Sequence, residues 1–396
     1  MPIPIDSLTT TTDDYLQIPL SNLKKAQIRS SSDFRSDVVT VPTSEVLEAM
    51  VNATFYDEIY EGDATVAQLE QKMATMAGKE AALWVVSGTQ ANQISLRTHL
   101  HQPPHSVLCD HRSHIYCWTT PQESGAISVL SQAQSTPVIP RNKHHLTLED
   151  VANSMIPDGN IHFAPTKVIS LENTLSGTIL PLNEVQRIRQ FALNHPNKPK
   201  MHLDGARLFD AVIAEGVSLV DYCANFDSIS LCIQKGTGAP VGSMIVGSKD
   251  FISRAKWYRK MFGGGARQPG MLAAAGIAAL DQAIPLIPIT QHKARLVSEY
   301  FTSELGLQLS VPTETNMVVI DLEAAGIPPR VFRHRLLQFG VRVFEQGRLV
   351  FHNQITDQGV SALCQGVKSL VMDARIPNKL SQLDQEIEVS QLNGCF

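Results

Sequence analysis

A chain of 396 residues is long enough for two coupled cores, and its 43% apolar and 18% charged residues are ordinary for a globular protein. The formal net charge of −5, with no basic run, argues against nucleic acid and leaves a small molecule as the better partner. Six cysteines (Cys109, Cys117, Cys223, Cys232, Cys364 and Cys395) stand apart with no CxxC pair, which suits reduced thiols and a cytoplasmic location.

Residues 1–34 are rich in Ser, Thr and Asp and read as a tail or arm, with neither the basic start nor the apolar core of a targeting peptide. From residue 35 the patterns of helix and strand alternate. "TVAQLEQKMATMAG" has helical spacing and ends on Gly78 as a cap, and "AALWVVSG" then reads as a buried strand entering the helix "TQANQISLRTHL". "SVLCD", "KVISLEN", "KMHLD", "SISLCI" and "GSMIVG" are further short strands, with helices such as "LNEVQRIRQFALNH" and "MLAAAGIAALDQAI" among them. Such alternation predicts an α/β fold, a mostly parallel sheet between helices over residues 35–285. Residues 286–396 form a smaller α+β unit with a polar, peripheral tail. No stretch approaches the ~18 consecutive apolar residues of a membrane span.

Ligands of parallel α/β sheets collect at the carboxyl ends of strands, so the strand-end residues carry the functional question. Gly88 and Thr89 lie between a strand and a helix, where free N–H groups favour a phosphate; an ordinary turn with an N-cap is the plainer explanation. Asp204 ends "MHLD" and either caps the next helix or hydrogen-bonds a pyridinium nitrogen. Lys235 follows "SISLCIQ", where a buried ammonium is costly unless it is paired or chemically engaged; the alternative is a stem lying on apolar surface. Together, a phosphate turn, a strand-end acid and a strand-end lysine in this order are what a pyridoxal phosphate site requires.

The stretches "FRSDVVTVPT", "GKEAALWVVSGTQANQISLRTHL", "CDHRSHIY", "IHFAPTKVISLENT", "MHLDGARLF", "QKGTGAPVGSMIVG" and "RKMFGGGARQPGMLAAAG" closely resemble the threonine aldolase family, in the same order from about residue 34 to 284. "THLHQPPHSVLCD" resembles its fungal branch. The resemblance implies fold type I of the pyridoxal 5′-phosphate enzymes, a small amino-acid substrate, and a homo-oligomer (dimer or tetramer) with shared active sites. It makes Lys235 the Schiff-base lysine, Asp204 the partner of the pyridine nitrogen, and Gly88 and Thr89 the phosphate turn. Arg267 becomes an arginine that reaches the phosphate, commonly from a neighbouring subunit, and His114 the histidine stacked over the ring. Ser36, Arg207 and Arg348 match the groups that hold the substrate carboxylate, and His162 the histidine near the β-hydroxyl. The implied reaction is retro-aldol cleavage of a β-hydroxy-α-amino acid to glycine and an aldehyde.

Two departures from the family stand out. The loop after His114, "YCWTTPQESGA", is about four residues longer, with Trp118 and Pro121 before Glu123, and Gln234 replaces the usual serine beside the lysine. Some fungal members of the family are alanine racemases, so racemisation is the rival reaction; retention of His162 favours cleavage. A pyridoxal phosphate fold that acts by binding alone is a third reading, against which the intact Lys235 and Asp204 argue.

Overall fold

A computed structural model describes residues 20–116, 123 and 125–393 of the chain. Trp118, Pro121 and the rest of the loop insertion, like Cys117, Cys395 and the first 19 residues, lie outside the described residues.

Seven strands form the main sheet: β1 (Ala81–Val85), β2 (Ser106–Asp110), β3 (Gln134–Val138), β4 (Thr166–Glu172), β5 (Lys200–Gly205), β6 (Ser228–Cys232) and β7 (Ser243–Gly247), in the order β1-β7-β6-β5-β4-β2-β3. Strands β2 to β6 pair in parallel, and β7 is antiparallel to both β6 and β1. The carboxyl ends of the other six strands therefore share one edge, bringing Asp110, Glu172, Asp204 and Cys232 together. The apolar runs of β1, β2, β5, β6 and β7 are buried because helices cover the sheet. Only β3 escaped the sequence reading: "QSTPV" has no apolar alternation and contains Pro137, which an edge strand tolerates.

Helices form where the periodicity placed them, at Ala64–Met76, Gly88–His99, Leu182–Asn194 and Gly270–Ala283. Asp63 caps the first of these through the Thr65 and Val66 N–H groups, and Gly78 stops it at φ 61°. The helical run Gly270–Glu304 is long and apolar enough to cross a membrane by length and composition alone. In the fold, its Ala273, Ala275, Ala279 and Leu280 are buried in the core instead.

A second core gathers Phe301, Phe332, Leu349, Phe351 and Leu370 around a two-stranded sheet of β8 (Met317–Val319) and β9 (Arg348–Val350). The segment expected as a free arm enters this core. Residues 20–30 are helical, the Phe34 carbonyl accepts a hydrogen bond from Val350 N–H at 2.8 Å, and the fully buried Phe34 ring packs edge-on against Phe351. The polar C-terminal stretch forms a helix, Lys379–Asn393, whose Leu380 and Ile387 reach the same core. Phe34→Ala should cost roughly 3–5 kcal/mol, as truncation of a buried aromatic does, read from the denaturation midpoint of the small unit. A loss of only about 0.5 kcal/mol, the scale of a surface change, would remove Phe34 from the core.

Candidate active site

Asp204, near the end of β5, accepts hydrogen bonds from Ala206 N–H at 3.1 Å and from Asn92 Nδ2 at 2.7 Å. Asn92, on the helix Gly88–His99, also donates to Glu123 Oε1 at 3.1 Å. Gln93 Nε2 donates to the other oxygen of Glu123 at 2.6 Å, and His114 Nδ1 lies 2.9 Å from Oε1. His114, Glu123 and Asp204 thus offer atoms within 4.8 Å of one another. The His114 N–H donates to Glu172 at 2.7 Å, and burial together with the Asp204 charge holds the Glu172 carboxyl well above its ordinary pKa.

Gly88 and Thr89 open that same helix beneath the Ser87 cap, which accepts from Gln90 N–H. First-turn N–H groups have no intrahelical acceptor and point out of the helix. A Cβ on Gly88 would come within 2.8 Å of Cys232 Sγ, so only glycine lets this turn lie against the end of β6.

Lys235 stands three residues beyond β6, in a loop clamped to the segment after Ser36. Gly236 N–H donates to Asp37 O at 2.9 Å, and Gly238 N–H to Thr40 Oγ1 at 3.1 Å. Gly236 and Gly238 take φ of 71° and 87°, which only glycine adopts freely, and a Cβ on Gly238 would meet Val41 O at 2.7 Å. Partly buried, the Lys235 side chain lines a small cavity of ≈ 30 Å³ with Asp37, Arg207, Asp210 and His352. Among the described residues its amine has no hydrogen-bond or ion-pair partner. Beside it, Gln234 keeps a buried side-chain carbonyl with no donor.

Arg207, expected to offer its fork to a substrate, gives it to Asp37 instead: Nε and Nη2 donate to the two carboxylate oxygens at 2.6 and 2.7 Å. The reason is burial, since a guanidinium this enclosed needs a paired acceptor. Burial works against the ionised Asp37, yet Arg207, with Lys235 and His352 adding to it, holds the carboxyl below its ordinary pKa. Arg348, on β9, forms no ion pair among the described residues; it donates to Arg35 O at 3.4 Å and lies over the Phe344 ring at 6.0 Å. Burial and the nearby Arg207 charge lower its pKa. Ser36 caps the short turn that carries Asp37. Ser36, Arg207 and Arg348 therefore lie close together, with Asp37 bound to Arg207 alone and the Arg348 guanidinium left without a carboxylate among the described residues.

Two expected residues stand apart from this cluster in the chain. His162 is exposed on the loop before the amino end of β4, opposite the edge where the strand ends meet, and its N–H donates to Asn160 Oδ1. Its place at the β-hydroxyl is therefore not made within one chain. Arg267 pairs with Asp57 at 3.2 Å and lies over the Tyr60 ring at 4.7 Å. Conversely, the sequence reading passed over Asp37, Asn92 and Glu172, and treated Glu123 only as part of a loop. Asp37 and Asn92 did stand in the stretches "FRSDVVTVPT" and "SGTQANQ", but nothing in their spacing reveals partners more than a hundred residues away.

The family described as "Beta-eliminating lyase" matches residues 33–325. A Schizosaccharomyces pombe protein named probable low-specificity L-threonine aldolase is 46% identical over 90% of this chain and 92% of its own. A Cochliobolus carbonum alanine racemase is 35% identical over 93% and 95% of the two chains. Among solved structures, a putative L-allo-threonine aldolase from Listeria monocytogenes matches with a TM-score of 0.69 at 21% identity, covering 88% of this chain and 99% of that one. This likeness shows the fold, which is the fold-type I arrangement expected from the sequence. With most of its length matched by both family and relatives, the chain belongs to the beta-eliminating lyase family and, within it, to the threonine aldolases.

Proposed function

We propose that the protein is a pyridoxal 5′-phosphate-dependent aldolase that cleaves β-hydroxy-α-amino acids of the L-threonine or L-allo-threonine kind to glycine and an aldehyde. The observation that carries this reading is the partnerless Lys235 amine, set between an acidic cluster and an under-neutralised pair of arginines.

The cofactor fits the residues present. Lys235 supplies the free amine for its aldehyde carbon, Asp204 an acceptor for its ring nitrogen, and the Gly88–Thr89 turn a cradle of N–H groups that any larger residue at Gly88 would crowd. When bound, the cofactor supplies an electron sink for the pair released at Cα.

Arg348 and Ser36, beside the Asp37–Arg207 pair, take the substrate carboxylate. The planar fork of Arg348 sets the torsion about Cα, and so decides which bond is aligned to break. Glu123 accepts the Nδ1 hydrogen of His114, which leaves Nε2 as the lone pair that receives the β-hydroxyl proton, directly or through one water. His114 thereby takes the role that the family resemblance gave to His162. Exposed His162 and Arg267 serve the site of a second copy in a homo-oligomer. Support comes from large apolar side chains on the surface, with Tyr60 80% and Trp257 79% exposed. Free, buried Cys109, Cys223 and Cys232 suit a reducing compartment, and we assign the protein to the cytoplasm.

Alanine racemisation is the rival, kept open by the racemase relative and by the partnerless Gln234 carbonyl. Purified protein loaded with cofactor should release glycine from L-threonine or L-allo-threonine, and Lys235→Ala should abolish that release. No glycine from either substrate, with D-alanine appearing from L-alanine in D₂O, would overturn the aldolase reading. Arg348→Ala should raise KM about 10–100-fold, the scale of a lost charged hydrogen bond, while cofactor loading stays unchanged; an unaltered KM would remove Arg348 from the carboxylate site. Asp210 faces the same cavity, and burial, reinforced by the Asp37 charge, pushes its pKa up to about 7. Below that pH Asp210 is neutral; above it, a second negative charge beside Asp37 opposes an incoming carboxylate. Its folded pKa is raised, so its contribution to stability is full below pH ~4 and is lost as the pH rises through about 7. KM should therefore rise above pH 7 and stability should fall between pH ~4 and 7, and Asp210→Asn should flatten both profiles.

A further inference from the structure

One run of buried polar groups crosses the main sheet behind the site. Asn92 stands at its inner end, with Nδ2 on Asp204 and Glu123 and Oδ1 met by Ser230 Oγ at 2.6 Å and His202 Nε2 at 3.1 Å. On the far side of the imidazole, His202 Nδ1 lies 2.9 Å from Ser228 Oγ, which lies 2.8 Å from His99 Nε2. The strand period explains the alignment. His202 and Asp204 share one face of β5, and Ser228 and Ser230 are their registered neighbours on β6. Asn92 and His99, two helical turns apart, come down on that face from the helix Gly88–His99. At its outer end His99 stacks on Phe251 and borders a cleft of ≈ 450 Å³ at the amino ends of the strands.

The two carboxylates dictate every proton in this run. A carboxylate only accepts, so the Asn92 amide must turn its Nδ2 hydrogens toward Asp204 and Glu123. Its Oδ1 then faces Ser230 and His202 and needs donors, so His202 carries its hydrogen on Nε2. The bare Nδ1 requires the Ser228 hydroxyl to donate, which leaves the serine oxygen to accept from His99 Nε2–H. His202, which donates from one nitrogen and accepts at the other, must be neutral for this order, and burial pushes it down to about 4; burial likewise pushes His99 down to about 3.

We propose that His202 is a positioning residue whose Nε2–H locks the single Asn92 amide serving both Asp204 and Glu123. It thereby sets the acceptor for the cofactor ring nitrogen and the carboxylate that orients His114. One displaced amide would release both, because no other side chain among the described residues donates to Asp204, and Glu123 would keep only Gln93 and His114. The functional half of this inference rests on the proposed cofactor site, whereas the order of protons does not.

Two experiments test it. Neutron diffraction from deuterium-exchanged crystals of the holoenzyme should place deuterium on Nε2 of His202 and of His99, and none on His202 Nδ1. Deuterium on His202 Nδ1 overturns the order, whatever reaction the protein catalyses. Second, His202→Phe should weaken pyridoxal phosphate binding at least about tenfold, the scale on which partners of a ligating group act. It should also shift the pH midpoint of the visible absorbance of the bound cofactor. His202→Gln, which keeps an N–H near the place of Nε2, should recover most of both. Equal behaviour of the two folded variants, or wild-type behaviour of His202→Phe, overturns the positioning role. If His202→Phe does not fold, Ser228→Ala decides: a shift of the same sign supports the role, and unchanged binding and spectrum overturn it. Failure of the wild-type protein to bind the cofactor would instead reject the proposed function, leaving the neutron result to judge the proton order.

Discussion

The active edge of the sheet is organised by one buried ion pair, Asp37–Arg207, between residues 170 positions apart. Asp37 is 1% exposed, and breaking such a pair typically costs about 3–5 kcal/mol because one charge is left uncompensated. Four parts of the chain meet on it. Asp37 belongs to the N-terminal segment, Arg207 follows β5, the lysine loop docks through Gly236 N–H on Asp37 O, and Asn316 of the small unit approaches the carboxylate at 3.5 Å. A buried pair is often no more stabilising than apolar residues of the same shape. Its use here is positional, holding Lys235 and Arg348 in one frame although they come from different cores.

Around that pair the charges separate into two stations. At the ends of β4 and β5, Glu172 and Asp204 stand with Glu123, and the donors to Asp204 and Glu123 are amides, a backbone N–H and the His114 imidazole rather than cations. The carboxylates therefore remain acceptors toward a ring nitrogen. At the other station Lys235, Arg207 and Arg348 have Asp37 as their near counter-charge, and this excess suits an incoming carboxylate. The distribution matches a cofactor with a protonated ring at one end and an amino acid at the other. It follows from strand order: β4 and β5 carry the acids, whereas Lys235 and Arg348 arrive from the β6 loop and β9.

Much of this was legible in the sequence because it is local. A strand running into Gly88, a strand ending on Asp204 and a strand followed by Lys235 are each visible in a few residues, and their common edge follows from the parallel sheet. What stayed hidden depends on long-range packing. Nothing near Arg207 announces that Asp37 occupies its fork, and nothing near Asn92 reveals two carboxylates 31 and 112 residues away. Residues 20–34 look like a polar arm because the one aromatic that anchors them, Phe34, sits at the end of the segment. His162 shows a different limit, since within one chain it stands apart from the site. It lies within a stretch that closely resembles the family, yet resemblance along a chain does not say which edge of a sheet a loop occupies.

Neither departure from the family replaces Asp204 or the trio Ser36, Arg207 and Arg348. Gln234 adjoins Lys235 and adds a buried carbonyl, a feature no serine hydroxyl supplies because serine can donate where a carbonyl only accepts. The longer loop joins Tyr116 to Glu123, and Glu123 is the residue that holds His114. In the proposed site, both changes therefore bear on the groups that move protons at Cα and Cβ. Cleavage asks for an acceptor at the β-oxygen, and racemisation asks for proton exchange at Cα itself. In the proposed site the choice between them turns on where His114 Nε2 is aimed, and that aim is set by Glu123 and by Asn92 behind it.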